Sequence, residues 1–265
     1  MIELNDGRHM PALGFGTWQI AEATAALIVR KAFDMGYRLI DTAAIYRNER
    51  GVGEGLSGVE DVFLTTKLWN DRQGDPEAAL DESLALLGRD FVDLYLIHWP
   101  VPQNDQYLGA WKRLIELRDA GKVKSIGVSN FLPEHLDRII DATGVVPAVN
   151  QIELHPHFQQ AEARAFHAKR GIVTQSWSPL GQGATMKDAR IVAIAEKHGV
   201  SPAQVILAWH LALGLSVIPK ASDEDHARDN LAAAKVTLDD ADMQAIAAMD
   251  DPGGRIGGDP RSFAG

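Results

Sequence analysis

The chain contains no cysteine, which excludes disulfides and thiolate metal sites and fits a cytoplasmic location. It also lacks a long hydrophobic run. The longest mostly apolar stretch, residues 205–219, is interrupted by His210, Gly214 and Ser216 and is too short to span a bilayer. Residues 1–6 carry no basic region followed by an apolar segment, so no signal peptide is expected. Positive charge is scarce. A formal net charge of −10 with no long Lys/Arg cluster argues against a nucleic-acid surface and favours a small-molecule partner. Two nucleotide-binding signatures are missing as well: no Gly-x-Gly-x-x-Gly follows the first strand-like run, Gly51, Gly53 and Gly55 have the wrong spacing, and no Gly-x-x-x-x-Gly-Lys occurs. Gly127-Val128-Ser129-Asn130-Phe131 lacks the second glycine of a nucleophile elbow, which leaves Ser129 to another role.

What is present is an ordinary globular composition over 265 residues, 46% hydrophobic and 23% charged. Short β-like runs at 13–18, 37–40, 62–66, 92–97, 125–129, 148–152, 172–176 and 216–219 alternate with helical patterns such as 21–35, 76–87, 107–120 and 161–169. Strict alternation predicts a parallel sheet, and eight such units predict a closed (β/α)₈ TIM barrel in a single domain, 1–265. A hairpin over residues 3–10, turning on Asn5-Asp6-Gly7, is expected to cover the barrel floor, and an extra helix is expected near 239–249. The tail, 252–265, has five glycines, two prolines and no periodicity, and reads as a surface segment.

Asp41, Tyr46, Lys67 and His98 lie at or just beyond the ends of apolar runs, where parallel strands deliver residues to one common face. A phenol has a pKa of about 10 and donates a proton poorly at neutral pH unless its anion is stabilised. Lowering it by about two units takes roughly 2.7 kcal/mol, which a partly buried ammonium can supply. Lys67 is the candidate cation, Asp41 would hold it charged, His98 would orient a substrate oxygen and Tyr46 would protonate a developing alkoxide. No side chain supplies hydride, so a nicotinamide cofactor is implied. Taken singly, an Asp or Lys at a strand end is more often a plain ion pair, and Tyr46 or His98 alone could be a core residue. His155 and His157 form a weak His-x-His signal better read as loop or packing residues, and no metal is expected. Trp111 and Trp209 are as consistent with core packing as with a site.

The surrounding words resemble those of the aldo-keto reductase family along nearly the whole chain: Leu13-Gly14-Phe15-Gly16-Thr17-Trp18, Asp41-Thr42-Ala43-Ala44-Ile45-Tyr46, Thr65-Thr66-Lys67-Leu68-Trp69, Leu96-Ile97-His98-Trp99-Pro100, Asn150-Gln151-Ile152-Glu153-Leu154-His155-Pro156, Ser176-Trp177-Ser178-Pro179-Leu180-Gly181 and Ile218-Pro219-Lys220. Within that family the likeness points to the bacterial 2,5-diketo-D-gluconic acid reductases. The resemblance implies NADPH-dependent reduction of a small polar carbonyl compound, an anionic keto-sugar acid such as 2,5-diketo-D-gluconate or another aldehyde or α-dicarbonyl, with Asp41, Tyr46, Lys67 and His98 as the catalytic set. It assigns Ser129, Asn130 and Gln151 to the nicotinamide carboxamide and Trp177 to its ring face. Ser178, Leu180 and Gln182 fall along the pyrophosphate, Lys220 and Asn230 near the adenosine. Gly16, Thr17, Trp18, Asp41, Pro179, Ile218, Ser222, His226 and Asp229 complete the implied cofactor surface. Trp18, Tyr46, Trp69, His98 and Trp99 would line the substrate mouth. Short loops after Trp99 and Gly181 suggest an open pocket, and a monomer is the family-like state.

One stretch departs from the family pattern. After Lys220 the chain reads Ala221-Ser222-Asp223-Glu224-Asp225-His226-Ala227-Arg228-Asp229-Asn230, with His226 where an arginine commonly faces the 2′-phosphate of NADPH. A carboxylate about 6 Å from that phosphate costs roughly 3 kcal/mol at an effective dielectric near 20. Alternatively, Ser222 and Asp225 form a capping box while Asp223 and Glu224 complement a helix dipole and point to solvent. The expectation is NADPH binding with weakened discrimination, with appreciable NADH use as a hypothesis. Two other functional classes stay open at this level: a noncatalytic nucleotide-sensing subunit, and another barrel chemistry such as sugar isomerisation or metal-assisted hydrolysis.

Overall fold

A computed structural model describes residues 1–221 and 223–265. Eight parallel strands follow one another around a curled sheet in sequence order. They are β3 (Phe15–Gly16), β4 (Leu39–Asp41), β5 (Phe63–Leu68), β6 (Val92–Ile97), β7 (Val123–Ser129), β8 (Val149–Glu153), β9 (Val173–Trp177) and β10 (Ser216–Val217). The last strand returns to the first: Leu13 bridges Val217 in parallel, and Gly16 N–H donates to Pro219 O at 3.0 Å. The barrel is thereby closed, with no free sheet edge among its described strands.

The crossovers are α1 (Glu22–Met35), α2 (Glu49–Gly55), α3 (Pro76–Leu87), α4 (Tyr107–Asp119), α5 (Pro133–Thr143), α6 (Ala161–Arg170), α7 (Ala189–His198) and α8 (Pro202–Ala212), followed by α9 (Glu224–Ala232) and α10 (Asp240–Ala247). The helix α3 spans the range read from the sequence because Pro76 starts it and its apolar positions face the sheet. The expected extra helix is α10, capped by Asp239, whose Oδ1 accepts from Asp242 N–H at 3.0 Å. A second addition, α7, precedes α8 between β9 and β10. Gly51, Gly53 and Gly55 let α2 lie against its neighbours; a Cβ on Gly53 would fall 2.4 Å from Leu87 O.

One apolar layer lies between sheet and helices and includes Trp111. Trp209 is buried in a second cluster with α7 and α10. Both tryptophans are core residues. A further cluster fills the barrel interior, where Leu39, Leu94, Leu96 and Val149 meet Leu4 and Met10. Those last two come from the antiparallel hairpin β1 (Ile2–Glu3) and β2 (His9–Met10). Its turn is tied to the starts of the strands: Asn5 Nδ2 donates to Pro147 O at 2.9 Å, and Ser125 Oγ donates to Asp6 Oδ2 at 2.6 Å. The hairpin therefore seals the amino-terminal end of the barrel.

The tail is a surface segment, as read from the sequence, but one with a place: residues 252–265 run over the carboxyl-terminal end of the barrel, where the Phe263 ring sits 4.2 Å from that of Trp99 and Asn70 Nδ2 donates to Ala264 O at 3.0 Å. It adds a wall to the pocket that the short loops alone would leave open.

Candidate active site

A cavity of about 590 Å³ opens at the carboxyl-terminal ends of the strands. Asp41 ends β4 and Lys67 lies near the end of β5, so their side chains project into the barrel from adjacent strands. Lys67 Nζ donates to Asp41 Oδ1 at 2.5 Å and to Thr42 O at 2.8 Å, with both side chains essentially unexposed. The same Nζ lies 5.0 Å from the centre of the Tyr46 ring, which is carried by a short 3₁₀ turn after β4. His98 follows β6 and meets Tyr46 and Trp69 edge to face at 5.8 and 5.0 Å. Four residues spread over 58 positions of sequence thus meet at one wall.

Their protonation states follow from burial and charge. Burial opposes the charge on Lys67, but Asp41 and Tyr46 outweigh it, so the ammonium is held above its ordinary range. Burial pushes the Asp41 carboxyl up, and contacts with Lys67 and Gln151 pull it back. For Tyr46, burial also dominates: the hydroxyl is pushed up, with Lys67 pulling down and Asp41 adding to the rise. This differs from the expected net depression. The reason is that desolvation of the phenolate exceeds the attraction of an ammonium already paired with Asp41. Tyr46 is therefore a protonated phenol at neutral pH, the form an acid must have, with a cation in place for the anion it would leave. Burial and the neighbouring Lys67 hold His98 well below the usual histidine range, so its ring is neutral. His98 Nδ1 is buried without a partner, leaving Nε2 as the ring nitrogen available to the cavity.

A polar floor adjoins this wall. Gln151 Nε2 donates to Asp41 Oδ2 at 2.8 Å and to Gln175 Oε1 at 2.7 Å. Both amide hydrogens are spent, so its oxygen is the atom it can offer. Asn130 Nδ2 donates to His98 O and Ser129 Oγ at 3.0 and 3.1 Å, and its Oδ1 accepts from Trp177 Nε1 at 2.8 Å. Ser129 Oγ donates to Gln151 O at 2.8 Å. These bonds fix the Trp177 indole at the cavity wall.

Of the sequence-derived site residues, Gly16, Trp18, Trp69, Trp99, Ser178, Pro179, Gln182, Ile218 and Lys220 join Asp41, Tyr46, His98, Ser129, Asn130, Gln151 and Trp177 around the cavity. Lys67 stands directly behind them. Thr17 is buried and its hydroxyl donates to Asp41 O at 3.0 Å, bracing β4. Leu180 packs into apolar clusters. Asp229 accepts from Ser201 Oγ at 2.5 Å and Gln204 Nε2 at 2.8 Å, tying α9 to the start of α8. Asn230 is buried on α9 and is not among the residues that line this cavity. Ser222, named above for the cofactor and for a capping box, lies outside the described residues. The cap of α9 is Asp223, one position later, because its Oδ1 reaches the His226 amide at 2.9 Å. Asp223 Oδ2 also holds His226 Nδ1 at 2.6 Å, and Glu224 pairs with Lys31 at 2.5 Å. His155 and His157 are engaged by carboxylates, Glu153 at 3.2 Å and Asp188 at 3.1 Å.

Sequence reasoning missed Gln19, Ile45, Ile256, Gly257, Gly258 and Phe263, all on the cavity surface. One backbone signal marks the site. Gln19, Asn130, Ser178 and Gln182 have φ between 48° and 63° and all four line the cavity. Non-glycine residues in that region cluster where a site is built at some cost in strain.

Comparison with known proteins agrees with this geometry. Residues 12–251 match the model of the aldo/keto reductase family. An aldo-keto reductase of Mycolicibacterium smegmatis is 50% identical over 268 residues, covering 99% of this chain and 97% of the relative. The methylglyoxal reductase DkgA of Escherichia coli K12 is 47% identical over 271 residues, covering 100% and 98%. Among solved structures, a variant of Gox0644 in complex with NADPH is 52% identical and superposes with a TM-score of 0.97 over 99% of this chain and 97% of that one. A closed barrel with this buried Asp–Lys pair, tyrosine and neutral histidine, matched over almost its full length, belongs to the aldo/keto reductase family.

Proposed function

We propose that the protein is an NADPH-dependent oxidoreductase that reduces a small carbonyl compound to an alcohol. The observation that carries this reading is the placement of Lys67 Nζ between Asp41 and the Tyr46 ring, at the edge of a cavity that His98 also lines. The cavity fits a nicotinamide nucleotide: the Gln151 oxygen can accept from a carboxamide, the anchored Trp177 offers a flat ring face, and Lys220 supplies positive charge for phosphate. Gox0644, the structural relative above, is described with NADPH bound. When bound, NADPH would supply the hydride. The side chains do the rest. Neutral His98 orients the carbonyl oxygen through Nε2, Tyr46 donates its proton as the oxygen gains negative charge, and Lys67 stabilises the resulting phenolate. Asp41 keeps the ammonium charged and in place.

The substrate is inferred from the mouth. Trp18, Ile45, Trp69, Trp99 and Phe263 give it apolar walls, and among the described lining residues Lys220 is the sole Lys or Arg. That lining favours uncharged aldehydes and α-dicarbonyls such as methylglyoxal over an anionic keto-sugar acid such as 2,5-diketo-D-gluconate. The relative DkgA bears the name methylglyoxal reductase, which supports the same order. Initial rates of NADPH and NADH oxidation with both acceptors test it. Saturable turnover abolished in Tyr46→Phe supports reductase chemistry, higher kcat/KM for methylglyoxal supports the substrate order, and turnover undiminished in Tyr46→Phe rejects the acid assignment.

A further inference from the structure

Glu153 ends β8 with its side chain wholly enclosed, yet it takes no part in the chemistry above. A buried carboxylate is costly unless its oxygens are satisfied, and these oxygens are satisfied by the tail. Oε1 accepts from Ile256 N–H at 2.6 Å and Oε2 from Gly257 N–H at 2.9 Å, while His155 Nε2 lies 3.2 Å from Oε1. Two consecutive backbone amides more than a hundred residues downstream are thus gripped by one group. Among the described residues, no other barrel side chain accepts a backbone N–H from residues 252–263.

The grip is placed beside the cofactor wall. Glu153 and Trp177 are register partners on adjacent strands. Gly257 passes so close that a Cβ there would fall 2.5 Å from Trp177 Cη2 and 2.9 Å from Glu153 Oε2. Beyond the grip the chain carries Gly258 and Phe263 onto the cavity surface, where Phe263 meets Trp99.

We propose that Glu153 is a positioning residue that clamps the tail across the mouth and so sets the depth of the substrate pocket, acting through Ile256 and Gly257 without touching substrate. This rests on the reductase reading for its kinetic consequence but not for its structural one. Replacing Glu153 by Gln sets an amide N–H₂ against a backbone N–H and removes the charge. In the full-length Glu153→Gln protein, amide exchange at Ile256 and Gly257 is expected to accelerate by about a hundredfold, with faster tryptic cleavage after Arg255. The carbonyl KM is expected to rise about tenfold while kcat stays within about threefold and the NADPH Kd within about threefold.

Gly257→Ala displaces the same segment from the other side and is expected to give the same exchange and KM changes, with the double variant no worse than either single one. It carries the test if Glu153→Gln fails to fold by circular dichroism. Protected Ile256 and Gly257 amides in the variants, or a fall in kcat at unchanged KM, would overturn the clamp. Exchange and proteolysis need no substrate, so an absence of reductase activity leaves the structural outcome readable.

Discussion

Lys67 and Asp41 form a 2.5 Å ion pair between neighbouring strands, with neither side chain more than 2% exposed. Removing one partner leaves a buried charge alone, which costs about 3–5 kcal/mol. Lys67→Met is therefore expected to lose stability of that order as well as activity. The double variant Asp41→Asn/Lys67→Met should be more stable than Lys67→Met alone. Urea denaturation of the two variants, with coupling read from the full cycle, checks this.

Tyr46→Phe removes one hydroxyl and no ring contact. Burial keeps that hydroxyl protonated, so under the proposed reading its loss deletes the proton donor and little else. kcat/KM is expected to fall by about 10²–10⁴, the usual contribution of a general acid. NADPH binding, read by quenching of intrinsic tryptophan fluorescence, should change by less than about threefold.

His167 should make the fold acid-sensitive. Its Nε2 faces Asn150 Nδ2 at 2.9 Å and its Nδ1 faces Thr174 Oγ1 at 2.8 Å. Asn150 donates, so Nε2 must accept and the ring must be neutral. Burial pushes its pKa down to about 4. The unfolded chain takes up this proton near pH 6.5 and the folded chain does not, so the stabilisation is present above pH 6.5 and is lost as pH falls towards 4. At pH 5 the loss is about 2 kcal/mol. His167→Gln keeps one donor and one acceptor without titrating, so the stability gap between the two proteins should shrink by that amount from pH 7 to pH 5.

The Asp223–His226 pair bears on cofactor choice. His226 is held by the carboxylate that caps its own helix, and an imidazole engaged in this way does not provide an arginine fork. NADPH is expected to exceed NADH in kcat/KM by less than about a thousandfold, and His226→Arg to widen the ratio about tenfold. Initial rates at varied NADPH and NADH, in the wild type and the variant, measure this.

The meeting of Asp41, Lys67 and His98 at one wall was legible in the sequence because each stands at or near the end of an apolar run, and the regular spacing of those runs prescribes a barrel. Tyr46 needed only the short turn that follows β4. The tail was illegible for an equally physical reason. Its contacts are backbone amides on Glu153 and a ring on Trp99, partners separated by more than a hundred residues and marked by no periodicity. Glu153 stood in a readable word, but a carboxylate does not announce what it will accept. Thr17 and Asp229 were expected near a cofactor; the partners their side chains have, Asp41 O on β4 and the start of α8, lie far away in sequence and carry no pattern that announces them.

Among the described residues, the hairpin β1–β2 stops the amino-terminal end of the barrel and leaves the carboxyl-terminal mouth as its doorway. Under the proposed reading, cofactor and carbonyl compound pass the same tail-lined opening, and the nicotinamide must lie on the Gln151 floor before a substrate can rest against it. Traffic through one doorway is sequential by geometry: first in, last out. Steady-state kinetics should then show intersecting double-reciprocal lines, with the oxidised nucleotide competing against the reduced one and not against the carbonyl compound.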